Sequence, residues 1–331
     1  MEFLYEYGLF LAKSVTVVVA IGAIVALIVS AGVKPTKKGS IEITDLSQKV
    51  KEAKADFQAQ VLDKKEFKKW HKENKKEGIK KPESTTFVID FKGSLDANEV
   101  QSLREEVTAV LHFADSTKDK VLLNLESGGG VVHGYGLAAS QLQRIKSAGI
   151  PLTIAIDKVA ASGGYMMACL ADKIVAAPFA IVGSIGVIAQ IPNFNKLLKK
   201  HDIDYEQITA GEYKRTLTLF GENTDKGREK FKEEIEQTHG LFKQFVAEAR
   251  PKVDIDRVAT GEHWFARQAI ELDLVDELKT SDELIIQATN DSKVLKVQFK
   301  TRKSLPERLG VSVAVTVEKL FQSALSRFKY Q

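Results

Sequence analysis

The hydrophobic pattern changes texture along the chain, and each change predicts a different kind of element. Ser14 to Val33 (SVTVVVAIGAIVALIVSAGV) is twenty residues without a charge. At 1.5 Å per residue that is enough to cross a hydrocarbon core of about 30 Å, so it predicts one N-terminal transmembrane helix. A cleaved signal peptide is the competing reading. It is disfavoured because the stretch exceeds the usual ~7–15 apolar residues and because Glu2 and Glu6, not a basic cluster, precede it. Residues 34 to 84 then mix Lys, Glu, Gln and Asp with few large apolar residues. Val50, Phe57, Val61 and Phe67 are only loosely spaced, which reads as a solvated tether with a helical part over Leu46 to Trp70, ended by Pro82.

From Thr85 short β-branched runs alternate with helical stretches. Thr86–Phe91, Val121–Leu125, Leu152–Ile156 and Lys173–Ala176 predict buried strands; Glu99–Phe113, Val131–Lys146 and Gly163–Leu170 predict the helices between them. Such alternation implies right-handed βαβ crossovers and a mostly parallel sheet, an α/β fold. A second apolar run, Ile174 to Ile191, has the length of a membrane span. Pro178, Gly183 and Gly186 interrupt it, so it is assigned to core strands and turns. Further helix is expected over Lys226–Ala249 and Arg257–Leu272. The tail carries a strand-like VLKVQF and an amphipathic helix over Val311–Phe328. The resulting division is an anchor (1–33), a Lys-rich tether (34–84), an α/β domain (85–291) and a C-terminal tail with a possible role in oligomer contact (292–331). No internal repeat is evident.

Composition sharpens this in two places. The net charge is +4, yet Lys34 to Pro82 holds fifteen Lys, no Arg and eight acidic residues, a surplus of +7 that leaves the rest of the chain at −3. The positive charge therefore sits in a segment poor in aromatic and Arg residues, which argues against nucleic-acid binding. Next to a membrane, such a segment suits anionic head groups at roughly 1 kcal/mol per charge. The single cysteine, Cys169, excludes an internal disulfide, and with dispersed histidines it offers no metal-ligand spacing.

Candidate chemistry gathers at glycine clusters at the ends of predicted strands, where open α/β sheets place their ligands. Glu126-Ser127-Gly128-Gly129-Gly130 follows VLLNL and can turn backbone amides toward an anion, although GGG is also an ordinary flexible turn, and no phosphate-loop pattern accompanies it. Ala160-Ala161-Ser162-Gly163-Gly164 places a serine at a strand-to-helix turn, where it can be an exposed nucleophile or an N-cap. None of His71, His112, His133, His201, His239 and His263 belongs to a triad motif, with His133 the least easily dismissed. A lysine with a lowered pKa can replace histidine as base, but the residue pattern alone does not select one.

The order ESGGG, AASGGYMMA, GSIGV (Gly183–Val187) and GEYKRTLTLF (Gly211–Phe220) resembles the protease IV and signal peptide peptidase A family of membrane serine peptidases, in the branch with one N-terminal anchor and a Lys-rich tether. The resemblance spans about Thr85 to Leu278, together with the N-terminal anchor. It implies a Clp protease/crotonase-like fold and a Ser/Lys dyad. Ser162 matches the nucleophile and Lys214 the general base; the Gly129 and Gly163 amides match the oxyanion donors, and Ser184 matches a serine that orients the lysine. Glu126 and Gly128 depart from the family's Asn and Pro, so the first loop is less constrained. The family also implies ring or dome homo-oligomers, peptide or unfolded-protein substrates such as spent signal peptides, and no cofactor. It implies as well a bacterial inner-membrane location with the catalytic domain on the periplasmic side. Lys34, Lys37 and Lys38 beside the apolar run point the other way by the positive-inside rule. Two alternatives remain: a crotonase-type acyl-CoA enzyme, and a non-catalytic membrane scaffold using a degenerate peptidase domain.

Overall fold

The computed structural model describes residues 2–32, 39–77 and 82–301. Its elements are α1 (Glu2–Gly32), β1 (Gly39–Asp45), α2 (Leu46–Val61), α3 (Lys64–Glu77), β2 (Thr85–Lys92), α4 (Val100–Phe113), β3 (Lys120–Glu126) and α5 (Val132–Ser147). They continue with β4 (Leu152–Ile156), β5 (Val159–Ala161), α6 (Gly163–Ala168), β6 (Lys173–Ala176), β7 (Ile181–Gly183), α7 (Asn195–Lys200) and α8 (Asp225–Ala249). The last are α9 (Ile255–Val258), β8 (His263–Phe265), α10 (Ala266–Ala269), β9 (Glu277–Leu278), α11 (Ser281–Asp291) and β10 (Lys293–Thr301). Residues 41–299 form one compact unit, separate from the unit containing α1.

The expected span Ser14–Val33 follows the helical course of α1 as far as Gly32, but its second half falls among residues whose side chains lie outside the description. Among the described residues, no helix is long and apolar enough to cross a membrane. The expected helix Val311–Phe328 lies wholly outside the described residues.

A seven-stranded sheet in the order β1-β10-β2-β3-β4-β6-β9 forms the frame, parallel at every pairing from β10 to β9. Its central strands are apolar on both faces, as a sheet covered on both sides requires. Ile89, Leu123, Ile154 and Ile174 face the main core, which is closed by Leu103 and Val107 of α4 and by Ala138, Leu142 and Ile145 of α5. Val88, Leu122, Ala155 and Val294 face a smaller core covered by Leu46 of α2 and by Leu284, Ile285 and Ala288 of α11. A second sheet, β5-β7-β8, has β5 parallel to β7 and β7 antiparallel to β8.

The four strands and three helices expected between Thr86 and Ala176 all form, with ends displaced by no more than two residues. The run Ile174–Ile191 supplies β6 and β7, and Ile174, Val182 and Ile185 are fully buried. Three places differ from the sequence pattern. The segment read as a tether contributes the edge strand β1 and two helices, and it is tied to the domain where Ser47 Oγ accepts the Val294 N–H (2.8 Å). The strand-like VLKVQF does form β10, but it lies inside the sheet, with Lys293 opposite Thr85 and Lys296 opposite Val88. Parallel partners are set by contacts distant in sequence, which local periodicity does not encode. Finally, Arg257–Leu272 is not one helix: Gly261 at φ +85° turns the chain, and His263–Phe265 pair with β7 before helix resumes at Ala266.

Candidate active site

β5 and β7 run parallel with Ala161 opposite Gly183, so the residues that follow them, Ser162 and Ser184, lie side by side at the ends of adjacent strands. Both have φ +51°, a backbone region that non-glycine residues occupy only at a cost of about 1–3 kcal/mol. At Ser162 the turn is held from three sides. Its N–H donates to Gly183 O (2.8 Å), its carbonyl accepts the Met166 N–H (2.9 Å), and α6 begins at the next residue. Ser162 caps no amide with its side chain, which disposes of the N-cap reading. Its hydroxyl is half-buried, without a hydrogen-bond partner among the described residues.

The glycine loop is brought to the same place by a parallel bridge between Ser127 and Ala160. The Ser127 N–H donates to Val159 O (2.8 Å) and the Ala161 N–H to Ser127 O (3.0 Å). The approach is too close for side chains. A Cβ on Gly129 would stand 2.7 Å from the Gly163 nitrogen and 2.8 Å from Ser162 Cβ, and one on Gly164 would stand 2.5 Å from Ser127 O. Gly129 itself has φ +87°. The Gly163 N–H, first of α6, has no partner among the described residues. The Gly129 N–H already donates to Ser127 Oγ (3.0 Å), whereas the Gly130 N–H, one residue on, has no partner among the described residues.

Glu126, where the family's Asn is expected, is paired with Lys92 (3.0 Å) and Lys158 (3.3 Å). The Lys92 hydrogen bond, working against partial burial and helped by Lys158, holds its carboxyl below the usual range. It is therefore an anion occupied by lysines rather than a proton acceptor for Ser162.

Lys214 lies in the irregular stretch between α7 and α8. That stretch is fastened to α8 by the Glu212–Lys226 ion pair (2.5 Å) and by Lys226 and Lys230 over the Tyr213 ring (5.8 and 5.3 Å). Its ammonium group is exposed, and no hydrogen bond or ion pair connects it to Ser162 among the described residues. Ser162, Gly163, Gly129 and Ser184 thus converge in one chain, and Lys214 does not join them by a direct contact.

The histidines are spread. His133 is exposed on α5, and His239 reaches the Ile185 carbonyl (3.3 Å). His263 is in register with Gly183, on the opposite side of β7 from Ala161. Sequence reading missed that neighbour because three-residue strands carry almost no periodicity. Cys169 is fully buried, and burial pushes its thiol up to about 12, so it is no nucleophile at neutral pH.

A half-buried hydroxyl on a strained turn, with unbonded amides beside it, is the furnishing of a serine hydrolase of α/β fold. Two family descriptions match successive parts of this chain: peptidase family S49 N-terminal over residues 2–142, and peptidase family S49 over residues 144–295. The chain belongs to peptidase family S49 and is a serine peptidase. It is 51% identical to "Probable protease SohB" of Haemophilus influenzae, over 93% of this chain and 92% of that one. It is 54% identical to the protein of the same name from Buchnera aphidicola subsp. Acyrthosiphon pisum, over 76% of this chain and 74% of that one. Among solved structures, a variant of the membrane-bound stomatin-specific protease 1510-N in complex with a substrate peptide aligns at a TM-score of 0.42 and 13% identity. That alignment covers 70% of this chain and 97% of that one.

Proposed function

We propose that the chain is a membrane-anchored endopeptidase in which Ser162 is the nucleophile and Lys214 the general base. The observation that carries the reading is the Ser162 turn, which combines a strained φ, a hydroxyl free of internal partners and two glycine segments pressed against it. Neutral Lys214 takes the Ser162 proton as Oγ attacks a peptide carbonyl, then delivers it to the departing amine; water hydrolyses the acyl-enzyme. The developing oxyanion is held by the Gly163 amide and by the Gly129–Gly130 stretch, where Gly130 offers the free N–H and Gly129 serves only if it releases Ser127. Ser184, beside Ser162, orients the lysine.

Taking water away from an ammonium group favours its neutral, basic form. The exposed Lys214 stretch therefore acts when covered, and a neighbouring copy in a homo-oligomer is the covering this reading assigns. Ser14–Val33 anchors the chain in the inner membrane with the catalytic domain on the periplasmic side. Substrates are peptides, signal-peptide remnants or unfolded segments near that surface. The test is hydrolysis of a fluorogenic peptide by the detergent-solubilised chain beside Ser162→Ala, Lys214→Ala and His263→Ala. Loss in the first two with retention in the third supports the dyad; loss in His263→Ala with retention in Lys214→Ala moves the base to the imidazole.

A further inference from the structure

We infer that Tyr135 is a positioning residue for the oxyanion side of the site. Its hydroxyl links a buried hydrogen-bond chain that runs from the glycine loop to the Ser94 carbonyl, and its ring is the floor of the Ser162–Gly163 turn. This rests on the reading of Ser162 as nucleophile.

The chain of bonds has a fixed direction. Tyr135 Oη donates its one proton to the Ser94 carbonyl (2.8 Å), so Ser127 Oγ must be the donor in its 2.5 Å contact with Tyr135 Oη. Ser127 Oγ is then left to accept the Gly129 N–H (3.0 Å). Tyr135 is wholly buried and Ser127 is 2% exposed, so water cannot replace either member. With the Gly129 amide drawn down to Ser127, the Gly130 N–H, like that of Gly128, is left without a partner among the described residues, and Gly130 is the one that the next turn holds in place. Gly130 is in turn fixed because its Cα lies against Leu95, where a Cβ would come within 1.9 Å of the carbonyl oxygen, and the Val131 N–H donates to that same oxygen (2.9 Å).

The ring does the second task. A Cβ on Gly163 would lie 2.4 Å from Tyr135 Cγ, so the amide beside the nucleophile rests directly on the tyrosine. A Cβ on Gly93 would meet Tyr135 Oη at 2.4 Å and Ser127 Oγ at 2.8 Å, which leaves no slack around the pair. The Ser94 end is held in its turn by Glu99, whose carboxylate accepts from the Ser94 N–H (3.0 Å) and hydroxyl (2.9 Å). One side chain thereby couples both candidate oxyanion segments. No family pattern in the sequence signalled it, because Tyr135 reads as an ordinary apolar position of α5.

The test is steady-state kinetics of the full chain as Tyr135→Phe and Ser127→Ala, with a peptide aldehyde as inhibitor and Ser162→Ala as reference. The phenylalanine keeps the ring and removes the hydroxyl. The expected result is a kcat lower by ~10- to 100-fold with KM within about twofold, as for loss of a group that holds a reacting one. The aldehyde should bind more weakly by the same factor as kcat/KM, since its hemiacetal oxygen occupies the hole. The double variant should lose no more than the worse single one, because both cut the same chain. A kcat within twofold of the parent in a folded Tyr135→Phe, or in Ser127→Ala should the former not fold, overturns the inference while leaving the Ser162 reading intact. Retained activity in Ser162→Ala overturns the reading on which it stands.

Discussion

At the scale of single residues, Ser162 holds a backbone conformation that a non-glycine residue adopts only at a cost. Its φ of +51° suits glycine, so Ser162→Gly should abolish peptide hydrolysis while raising the unfolding free energy by about 1 kcal/mol relative to Ser162→Ala in urea titration. Equal stability of the two variants would show that the turn stores no strain. The serine was legible beforehand because its small neighbours and position between strand and helix are local features. Its strain was not, since that follows from the pairing of Ala161 with Gly183 and the Ser162 N–H to Gly183 O bond. Tyr135 and His263 were hidden for the same reason: their placement depends on tertiary partners, Gly163 for Tyr135 and, 80 residues away in register, Gly183 for His263.

At the scale of elements, the site depends on a loop pressed against backbone. A methyl group at Gly130 would fall 1.9 Å from Leu95 O, so Gly130→Ala should cost about 2–3 kcal/mol or expel the loop, read as a lower thermal midpoint together with lost activity. Retention of both would mean that the loop yields easily. Below the sheet, Arg250 is 4% exposed and its guanidinium meets both Asp276 oxygens (3.2 Å each), with Lys252 and the Ile174 N–H (2.7 Å) on the same carboxylate. Burial opposes ionisation of Asp276, but these partners outweigh it and hold the carboxyl down to about 2. Because the native pKa lies below the unfolded one, the contribution is complete above pH ~4. About 2 kcal/mol should be lost as pH falls from 4 to 2, and Asp276→Asn should remove that slope.

Glu106 gives the opposite sign. It accepts the Phe299 N–H of β10 (2.8 Å), and burial, with Asp90 adding and Lys296 opposing, pushes its carboxyl up to about 7. A raised native pKa means the contribution is present below pH ~4.5 and fades as pH rises to about 7. Amide exchange in β10 should accordingly quicken over that window, and Glu106→Gln should flatten the change. The strand pattern of β10 was visible in VLKVQF, but neither its place beside β2 nor its dependence on a buried carboxyl was. A lone Glu within an amphipathic helix looks like any solvated residue until the tertiary fold covers it.

At the scale of the whole molecule, charge and hydropathy are divided between segments. The intact chain should float with vesicles of phosphatidylcholine and phosphatidylglycerol, and a chain starting at Gly39 should stay in the aqueous phase. Flotation of the truncated chain would place the membrane contact in the folded domain instead. Lys214 is where the single chain stops short, since its exposed loop leaves the proposed base in water, with no hydrogen bond or ion pair to Ser162 among the described residues. The measurement that tests the central claim most directly is the pH dependence of kcat/KM for a fluorogenic peptide, measured on the intact chain beside Ser162→Ala and Lys214→Ala. The account predicts hydrolysis that vanishes in both variants and rises with a base titrating well below the ~10.4 of a free lysine. Hydrolysis that survives in Ser162→Ala at the parental rate would contradict it.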